Sequence, residues 1–321
     1  METGPTGYSD FAPARSRLAE ELLEALGEAP KRIPSKLLYD ARGSQLFEQI
    51  CELEEYYLTR TELSIMREHA PAMADALGAR CLLVEFGSGA GTKTRLLLDA
   101  LVEPTGYVPI DISASALAQS AEQLERRYPD LEILPVCADY TGEYRIPEAP
   151  RAHDRICVYF PGSTLGNFTE PEARHFLEHV AKLSGAGGGM LVGIDLDKDP
   201  RILELAYDDP GGVTAAFELN VLERLNRDFD ADFRIESFAY RSFYDPSLKR
   251  IEMYLVSLER QRVQVAGQTV ELGEREPLLI EYSHKFTLAG FEQLAAEAGF
   301  LVDRVWTDPA RHFSVQYLVA R

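Results

Sequence analysis

Val84-Glu85-Phe86-Gly87-Ser88-Gly89-Ala90-Gly91-Thr92-Lys93-Thr94 is the stretch on which the fold turns. The apolar run Leu82-Leu83-Val84 leads into it, and Arg95-Leu96-Leu97-Leu98-Asp99-Ala100-Leu101 follows it with the character of a helix. Strand, tight glycine-rich turn and helix N-terminus in that order are how an α/β protein presents bare backbone to a nucleotide-like ligand. Glycine suits the turn because it allows positive φ and puts no Cβ between backbone and ligand. The spacing departs from the dinucleotide pattern G-x-G-x-x-G. Counted from Gly87, its third glycine would fall on Thr92, whereas it stands at Gly91.

With Glu85 two residues before Gly87, the string becomes E-x-G-x-G-x-G. That pattern resembles motif I of class I S-adenosylmethionine-dependent methyltransferases. The following segments continue the theme. Gly106-Tyr107-Val108-Pro109-Ile110 reads as a second strand and ends at Asp111, about 20 residues beyond the glycines, where a carboxylate can accept from both ribose hydroxyls. Ile133 to Tyr140 reads as a third strand ending in Asp139. In the methyltransferases that this resembles, an acid there meets the adenine amino group and the adjacent aromatic, here Tyr140, packs on the ring. A fourth strand, Arg155 to Phe160, ends at Pro161-Gly162-Ser163-Thr164-Leu165-Gly166-Asn167. Open α/β sheets bind ligands at the carboxyl ends of their strands, where all these residues fall.

The alternation of helix and strand runs from about residue 61 to 196 and predicts a parallel sheet covered on both faces. Before it, residues 1–60 read as helical, with helices over Arg15 to Leu26 and Ser44 to Leu53 and a turn at Pro30-Lys31-Arg32-Ile33-Pro34. After it, residues 197–286 break the rhythm. A helix is expected over Val213 to Arg227, then strands over Arg234 to Tyr240 and Arg250 to Val256, at Val263-Gln264-Val265 and at Leu278-Leu279-Ile280. Leu288 to Ala298 reads as a last helix, closed by Gly299. A strand pair at Leu301 to Trp306 and Ser314 to Val319 ends the chain, as the class I methyltransferase sheet ends. The expected organisation is therefore a Rossmann-like α/β domain over 61–196, completed by 287–321. A second, α+β substrate-binding part is expected from 1–60 and the insertion 197–286.

Composition narrows the partners. The 321 residues carry a formal net charge of −19, which argues against nucleic acid or an anionic membrane surface as the target. No apolar run is long enough to span a bilayer and no secretory signal is apparent at Met1-Glu2-Thr3-Gly4-Pro5. Cys51, Cys81, Cys137 and Cys157 show no metal-ligand spacing and read as free thiols in a reducing cytoplasm. His175-Phe176-Leu177-Glu178-His179 matches the H-x-x-E-H pattern of some zinc peptidases, but it lies in a crossover helix with no evident third ligand, and no metal is expected.

Seven further strings resemble one family. They are Lys36-Leu37-Leu38-Tyr39-Asp40, Glu54 to Glu62, Gly162 to Asn167, Ala206-Tyr207-Asp208-Asp209, Val213 to Phe217, Arg250-Ile251-Glu252-Met253 and Glu281 to Phe286. In order and spacing they resemble the histidine-specific N-α-methyltransferases of ergothioneine biosynthesis, from about residue 30 to the C-terminus. Many of the strings mark a broader family that also acts on tryptophan derivatives; Met253, Glu281 and Ser283 are those that look specific for histidine. The resemblance implies S-adenosylmethionine as cofactor, free L-histidine as substrate, and three successive transfers to the α-amine, yielding hercynine. A monomer in the cytoplasm is expected.

The residue chemistry agrees with these assignments. Gly87, Ser88 and Gly89 would line the cofactor, Lys93 would reach its carboxylate, Asp111 its ribose, and Asp139 and Tyr140 its adenine. Asn167 and Tyr207 would hold the substrate carboxylate, and Gly162 would offer backbone near the amine. Glu281 and Ser283, two apart, share one face of an extended segment. Glu281 can accept an imidazole N–H and Ser283 can serve the other nitrogen. Tyr56 adds a phenol, Met253 an apolar wall, and Tyr39 or a water could take the ammonium proton. Three rivals stand beside this reading: the same fold acting on tryptophan or another aromatic amine, a cofactor-binding regulator without turnover, and, from the glycine loop alone, a nicotinamide oxidoreductase. Glu281 argues against tryptophan, because a buried carboxylate facing an all-carbon ring edge lacks a partner.

Overall fold

The computed structural model describes residues 8–89 and 91–321; residues 1–7 of the expected helical N-terminal part, and Ala90 of the glycine loop, lie outside the described residues. The elements run β1 (Ser9–Phe11), α1 (Arg15–Gly27), α2 (Ala41–Glu52), α3 (Tyr57–Leu77), β2 (Cys81–Phe86), α4 (Thr92–Leu98), β3 (Gly106–Asp111), α5 (Ala114–Arg127), β4 (Val136–Ala138), β5 (Arg155–Phe160), α6 (Glu170–Ser184) and β6 (Gly189–Asp195). They continue α7 (Pro200–Tyr207), α8 (Val213–Asp228), β7 (Phe238–Asp245), β8 (Arg250–Ser257), β9 (Gln261–Val265), β10 (Gln268–Leu272), β11 (Pro277–His284), α9 (Leu288–Glu297), β12 (Phe300–Thr307) and β13 (Phe313–Ala320). The chain forms two compact units. One holds Leu58–Asp197, His284–Arg321 and the described residues up to Ala12; the other holds Pro13–Tyr57 and Lys198–Ser283.

The first unit is built on an eight-stranded sheet in the order β1-β4-β3-β2-β5-β6-β13-β12. Its pairs are parallel from β1 to β6, while β13 runs antiparallel to β6 and β12 antiparallel to β13. This strand order, with its terminal antiparallel pair, matches the expected Rossmann-like α/β sheet. β2 and β6 are buried along their whole length, which is why they read as continuous apolar runs rather than alternating ones. On one face Val84, Phe86, Val158, Phe160, Val192 and Ile194 share a core with Phe176, Leu177 and Val180 of α6 and Phe291 and Leu294 of α9. The packing stacks the strands so that their carboxyl ends fall together beside the glycine loop.

Helix α7 and strand β10 were not expected from the sequence, and two further elements differ from the expectation. Ser9–Phe11, in the stretch expected to be helical, is an edge strand, held parallel to β4 by Ser9 N–H donating to the Pro135 carbonyl at 3.0 Å. Three residues carry no periodicity of their own, and only the open sheet edge gives them a partner. The strand expected from Arg234 begins instead at Phe238. Ile235–Ser237 forms a 3₁₀ turn, in which Ser237 N–H donates to the Arg234 carbonyl and its hydroxyl to Glu259.

The second unit contains α1, α2, α7 and α8, a three-stranded sheet ordered β11-β8-β7 and the hairpin β9–β10. The hairpin turns on Ala266 and Gly267, both with positive φ, as a two-residue connection requires. Asp40 caps α2 through Gly43 N–H at 2.7 Å and also accepts from Asn220 and Arg227 of α8, which clamps the two helices together. Gly43 is obligatory there, because a Cβ would lie 1.8 Å from the Leu38 carbonyl oxygen. Among the described residues no helix is long and apolar enough to cross a membrane. None of the four cysteines, all among the described residues, is in a disulfide.

Candidate functional site

The glycine loop of the first unit turns on Gly87, Gly89 and Gly91, at φ 69°, 45° and 66°. A Cβ on Gly87 would meet nothing within 4 Å, so open space lies over the loop. Gly87 N–H donates to the Ile110 carbonyl at 2.8 Å, which registers the loop against β3. Ser88 is buried, and its Oγ has no hydrogen-bond partner among the described residues. Asp111 bends back onto the same turn, accepting from Ser113 N–H at 2.9 Å and, more weakly, from Gly89 N–H at 3.4 Å. Burial raises its carboxyl above the ordinary value against the pull of these amides. Asp139 is half-buried at the end of β4 and accepts from Thr141 N–H at 2.9 Å and the Thr141 hydroxyl at 2.5 Å. Tyr140 beside it packs against Phe86, Phe160 and Phe176 at ring distances of 5.6, 5.7 and 6.0 Å. Backbone without side chains, an orphaned buried hydroxyl and two carboxylates at successive strand ends fit S-adenosylmethionine, whose ribose, amine and adenine need such donors and acceptors.

Glu85, the acid that made the loop conspicuous, faces inward. Its carboxyl lies 2.9 and 2.7 Å from the Thr94 hydroxyl and accepts from the Tyr107 hydroxyl. Complete burial pushes it up to about 8, with the Tyr107 and Thr94 bonds pulling the other way. It therefore ties β2, β3 and α4 together beneath the loop.

Lys93 is paired with Glu62 of α3, a carboxylate with no solvent exposure. The same carboxylate accepts from Gly162 N–H at 2.9 Å, so one acid anchors both the first turn of α4 and the loop after β5. Its space is reserved by Gly193, where a Cβ would stand 2.2 Å from Glu62 Oε1. Asn167 closes the 3₁₀ turn Thr164–Asn167 in that loop. The turn is clamped at Gly166, whose carbonyl lies 2.9 Å from His284 Nδ1. Below it Ser163 Oγ accepts from Asp195 N–H at 2.9 Å, and the Asp195 carboxylate pairs with Lys285 at 2.8 Å, both fully buried.

The second unit gathers the remaining sequence-predicted residues. Tyr207, at the end of α7, meets the Ser283 hydroxyl of β11 at 2.8 Å, and its carbonyl accepts from the Tyr240 hydroxyl at 2.7 Å. The Tyr56 ring stands edge-on to Tyr207 at 5.9 Å and to Phe47 at 6.4 Å. Tyr39 packs edge-on against Phe47 and Phe217, each at 5.7 Å. Met253 is buried in β8, opposite Ser242 of β7. Glu281 is half-buried in β11, and its charge acts on Glu218 of α8, a buried carboxyl that burial pushes well above the usual range.

Glu62, Glu218 and the Asp195–Lys285 pair were not assigned roles from the sequence. A signal existed for two of them. Glu62 shares a helical face with Leu58, Ile65 and Met66, and Glu218 with Val221 and Leu222; all of these are buried, and an acid on such a stripe needs an explanation. The segment His175–His179 lies within α6, where His179 Nε2 is 2.7 Å from the Tyr144 hydroxyl; among the described residues no side-chain cluster could hold a metal ion.

A family model described as "Histidine-specific methyltransferase, SAM-dependent" matches residues 18–320. "Histidine N-alpha-methyltransferase" of Mycobacterium tuberculosis (strain CDC 1551 / Oshkosh) is 41% identical over 303 residues, covering 93% of each chain. The protein of the same description from Mycolicibacterium smegmatis (strain ATCC 700084 / mc(2)155) is 39% identical over 324 residues, covering 99% of this chain and 100% of the relative. "Ergothioneine biosynthesis protein 1" of Neurospora crassa is 31% identical over 292 residues, which span 87% of this chain and 32% of that longer protein.

Proposed function

The chain belongs to the family of SAM-dependent, histidine-specific methyltransferases, and we propose that it trimethylates the α-amine of free L-histidine to hercynine, the first step of ergothioneine biosynthesis. The observation that carries this reading is the family match over residues 18–320, nearly the whole chain. S-adenosylmethionine supplies an electrophilic methyl on a sulfonium, so the protein need provide no nucleophile. Its residues must hold the amine lone pair about 3 Å from that methyl, in line, and give the ammonium proton an acceptor.

The first unit is assigned the cofactor. Gly87, Ser88 and Gly89 offer backbone and a free hydroxyl, Asp111 takes the ribose hydroxyls, and Asp139 with Tyr140 takes the adenine. Lys93 has three N–H donors, so its pairing with Glu62 leaves donors for the cofactor's carboxylate. The second unit is assigned the recognition of the side chain. Glu281 accepts an imidazole N–H, Ser283 steadies Tyr207, and Met253 and Tyr56 line the ring. Asn167 and Tyr207 hold the substrate carboxylate through neutral groups, and Gly162 lies beside the amine. Tyr39 or a water takes the proton. Firm grips on carboxylate and imidazole with a looser amine position suit an amine that gains two methyls before its last transfer. A monomer working in the cytoplasm completes the reading.

The test is mass spectrometry after incubation of purified protein with S-adenosylmethionine and a panel of free amino acids that includes tryptophan. Mass additions of one, two and three methyls on histidine are expected. Product on tryptophan alone, or no product at all, would overturn the assignment.

A further inference from the structure

Ser163 stands at φ 59° and ψ 25°, in the left-handed region, with 2% of its surface exposed. The other non-glycine residues at positive φ among the described residues, Arg80, Lys249 and Arg311 included, are exposed or half-buried, as surface turns are. A Cβ is costly in this conformation, whereas glycine adopts it freely. A strained residue persists where its surroundings over-determine it, and such residues cluster at functional sites. Ser163 follows Gly162, itself at φ 79°, so the loop after β5 makes two left-handed residues in succession.

The hydroxyl is what a glycine would lack. Ser163 Oγ accepts from Asp195 N–H of β6 at 2.9 Å. Asp195 is a fixed post: its carboxylate pairs with buried Lys285, and its carbonyl accepts from Phe286 N–H at 3.0 Å. The rest of the loop is braced as well. Gly162 N–H donates to Glu62 at 2.9 Å, the Thr164 hydroxyl to the Pro161 carbonyl at 2.9 Å, and Gly166 N–H to the Ser163 carbonyl at 2.8 Å. The turn that ends in Asn167 has no slack, because a Cβ on Gly166 would stand 2.8 Å from the His284 carbonyl oxygen.

We propose that Ser163 is a positioning residue for methyl transfer: its hydroxyl, hung on the Asp195 amide, holds the left-handed backbone that sets Gly162 at the amine and Asn167 at the substrate carboxylate. The inference rests on the histidine reading above, which assigns those two residues to substrate. Ser163 joins Gly162 to the turn that carries Asn167, so a rotation about its backbone swings one against the other. In-line transfer needs the amine about 3 Å from the methyl, and a displacement of about 1 Å costs on the order of 100-fold in rate. A glycine at this position would relieve the strain. It would also release the loop from β6 and take from the buried Asp195 N–H its partner. The serine keeps the strain and, with it, the geometry.

The experiment compares the wild-type chain with Ser163→Gly and Ser163→Ala. Both remove the hydroxyl; Gly also removes the strain, whereas Ala keeps it. Unfolding is followed in urea, S-adenosylhomocysteine binding by calorimetry, and kcat and KM for histidine by product mass. Ser163→Gly should unfold at a midpoint close to that of wild type, because the strain relieved and the hydrogen bond lost oppose each other and are of similar size. Ser163→Ala should unfold at a lower midpoint. Both variants should bind S-adenosylhomocysteine within about twofold of wild type and lose about 10- to 100-fold in kcat/KM for histidine, carried mainly by kcat. Wild-type kcat and KM in Ser163→Gly, with or without a loss in Ser163→Ala, would overturn the positioning role. So would a loss confined to KM, or parallel losses of stability, cofactor affinity and activity in both variants, the pattern of a residue that only supports the fold. Failure of the wild-type chain to methylate histidine would instead overturn the functional reading and the positioning role with it.

Discussion

The two units handle buried acids differently. In the first, Glu62, Glu85 and Asp195 each sit beside groups of the chain itself: an ammonium and a backbone amide, two hydroxyls, and a buried lysine. In the second, Glu218 is as deeply buried, but its Oε2 has no hydrogen-bond partner among the described residues. An acid with an internal partner fixes the distance between two chain segments and contributes to the frame. An oxygen left without such a partner ties no two segments together. The contrast separates residues whose loss should appear in stability from those whose loss should appear in substrate choice.

The largest effect is expected at the frame. Lys285→Met removes the ammonium that faces the buried Asp195 carboxylate beneath the loop that carries Gly162 and Asn167. Breaking a fully buried pair in this way should cost about 3–5 kcal/mol of unfolding free energy, measured by urea denaturation. A loss below about 1 kcal/mol, the value of an exposed pair, would show that water reaches the site and would break the contrast.

Glu85 tests the same point through pH. Its carboxyl has an ordinary value of 4.5 and stands at about 8 in the folded protein, chiefly through burial. Below the ordinary value both states are protonated, and the stability this group contributes is fully present. As pH rises, the unfolded chain ionises first and the folded one does not, so that stability is lost progressively through the folded value. Wild type should therefore lose on the order of 3 kcal/mol more than Glu85→Gln between pH 5 and 8. Denaturation curves at pH 5, 6.5 and 8 provide the check. Parallel pH profiles for the two proteins would mean that Glu85 ionises in place and is no buried neutral strut.

The smallest stability change and the sharpest functional one are expected at Glu281→Ala. Because this side chain is half-buried and assigned to substrate, its removal should leave unfolding within about 1 kcal/mol of wild type. It should lower kcat/KM for histidine by an equivalent of about 1.5–3 kcal/mol, the range for hydrogen bonds to charged groups. Activity toward tryptophan should fall less, or rise. Equal losses for both amino acids would move Glu281 from substrate reading to the frame.

Much of the first unit was legible beforehand because its signals are local. The apolar run before Gly87, the alternating glycines and the helix after them lie within about 20 residues, and φ-positive glycines need no distant partner to be recognised. Arg155–Phe160 and the terminal strand pair could be placed for the same reason. The second unit was less legible. Its strands alternate buried with exposed positions irregularly, and the polar residues at Arg234 to Ser237 were absorbed into a 3₁₀ turn by Glu259, a partner that no local pattern announces.

By itself, the sequence determined the helix–strand alternation of the first unit, the glycine turn and the positions of acids at strand ends, since helical and strand periodicity and glycine spacing act over a few residues. Only the tertiary structure decided which group each buried polar atom meets. Lys93 finds Glu62 across 31 positions, Gly162 finds it across 100, and Tyr207 finds Ser283 across 76. Ser9–Phe11 became a strand only where β4 offered a free edge. The physical reason is that apolar burial is non-directional and legible as a stripe. A hydrogen bond or ion pair, by contrast, requires one particular atom within about 3 Å, and distant segments are brought that close only by packing.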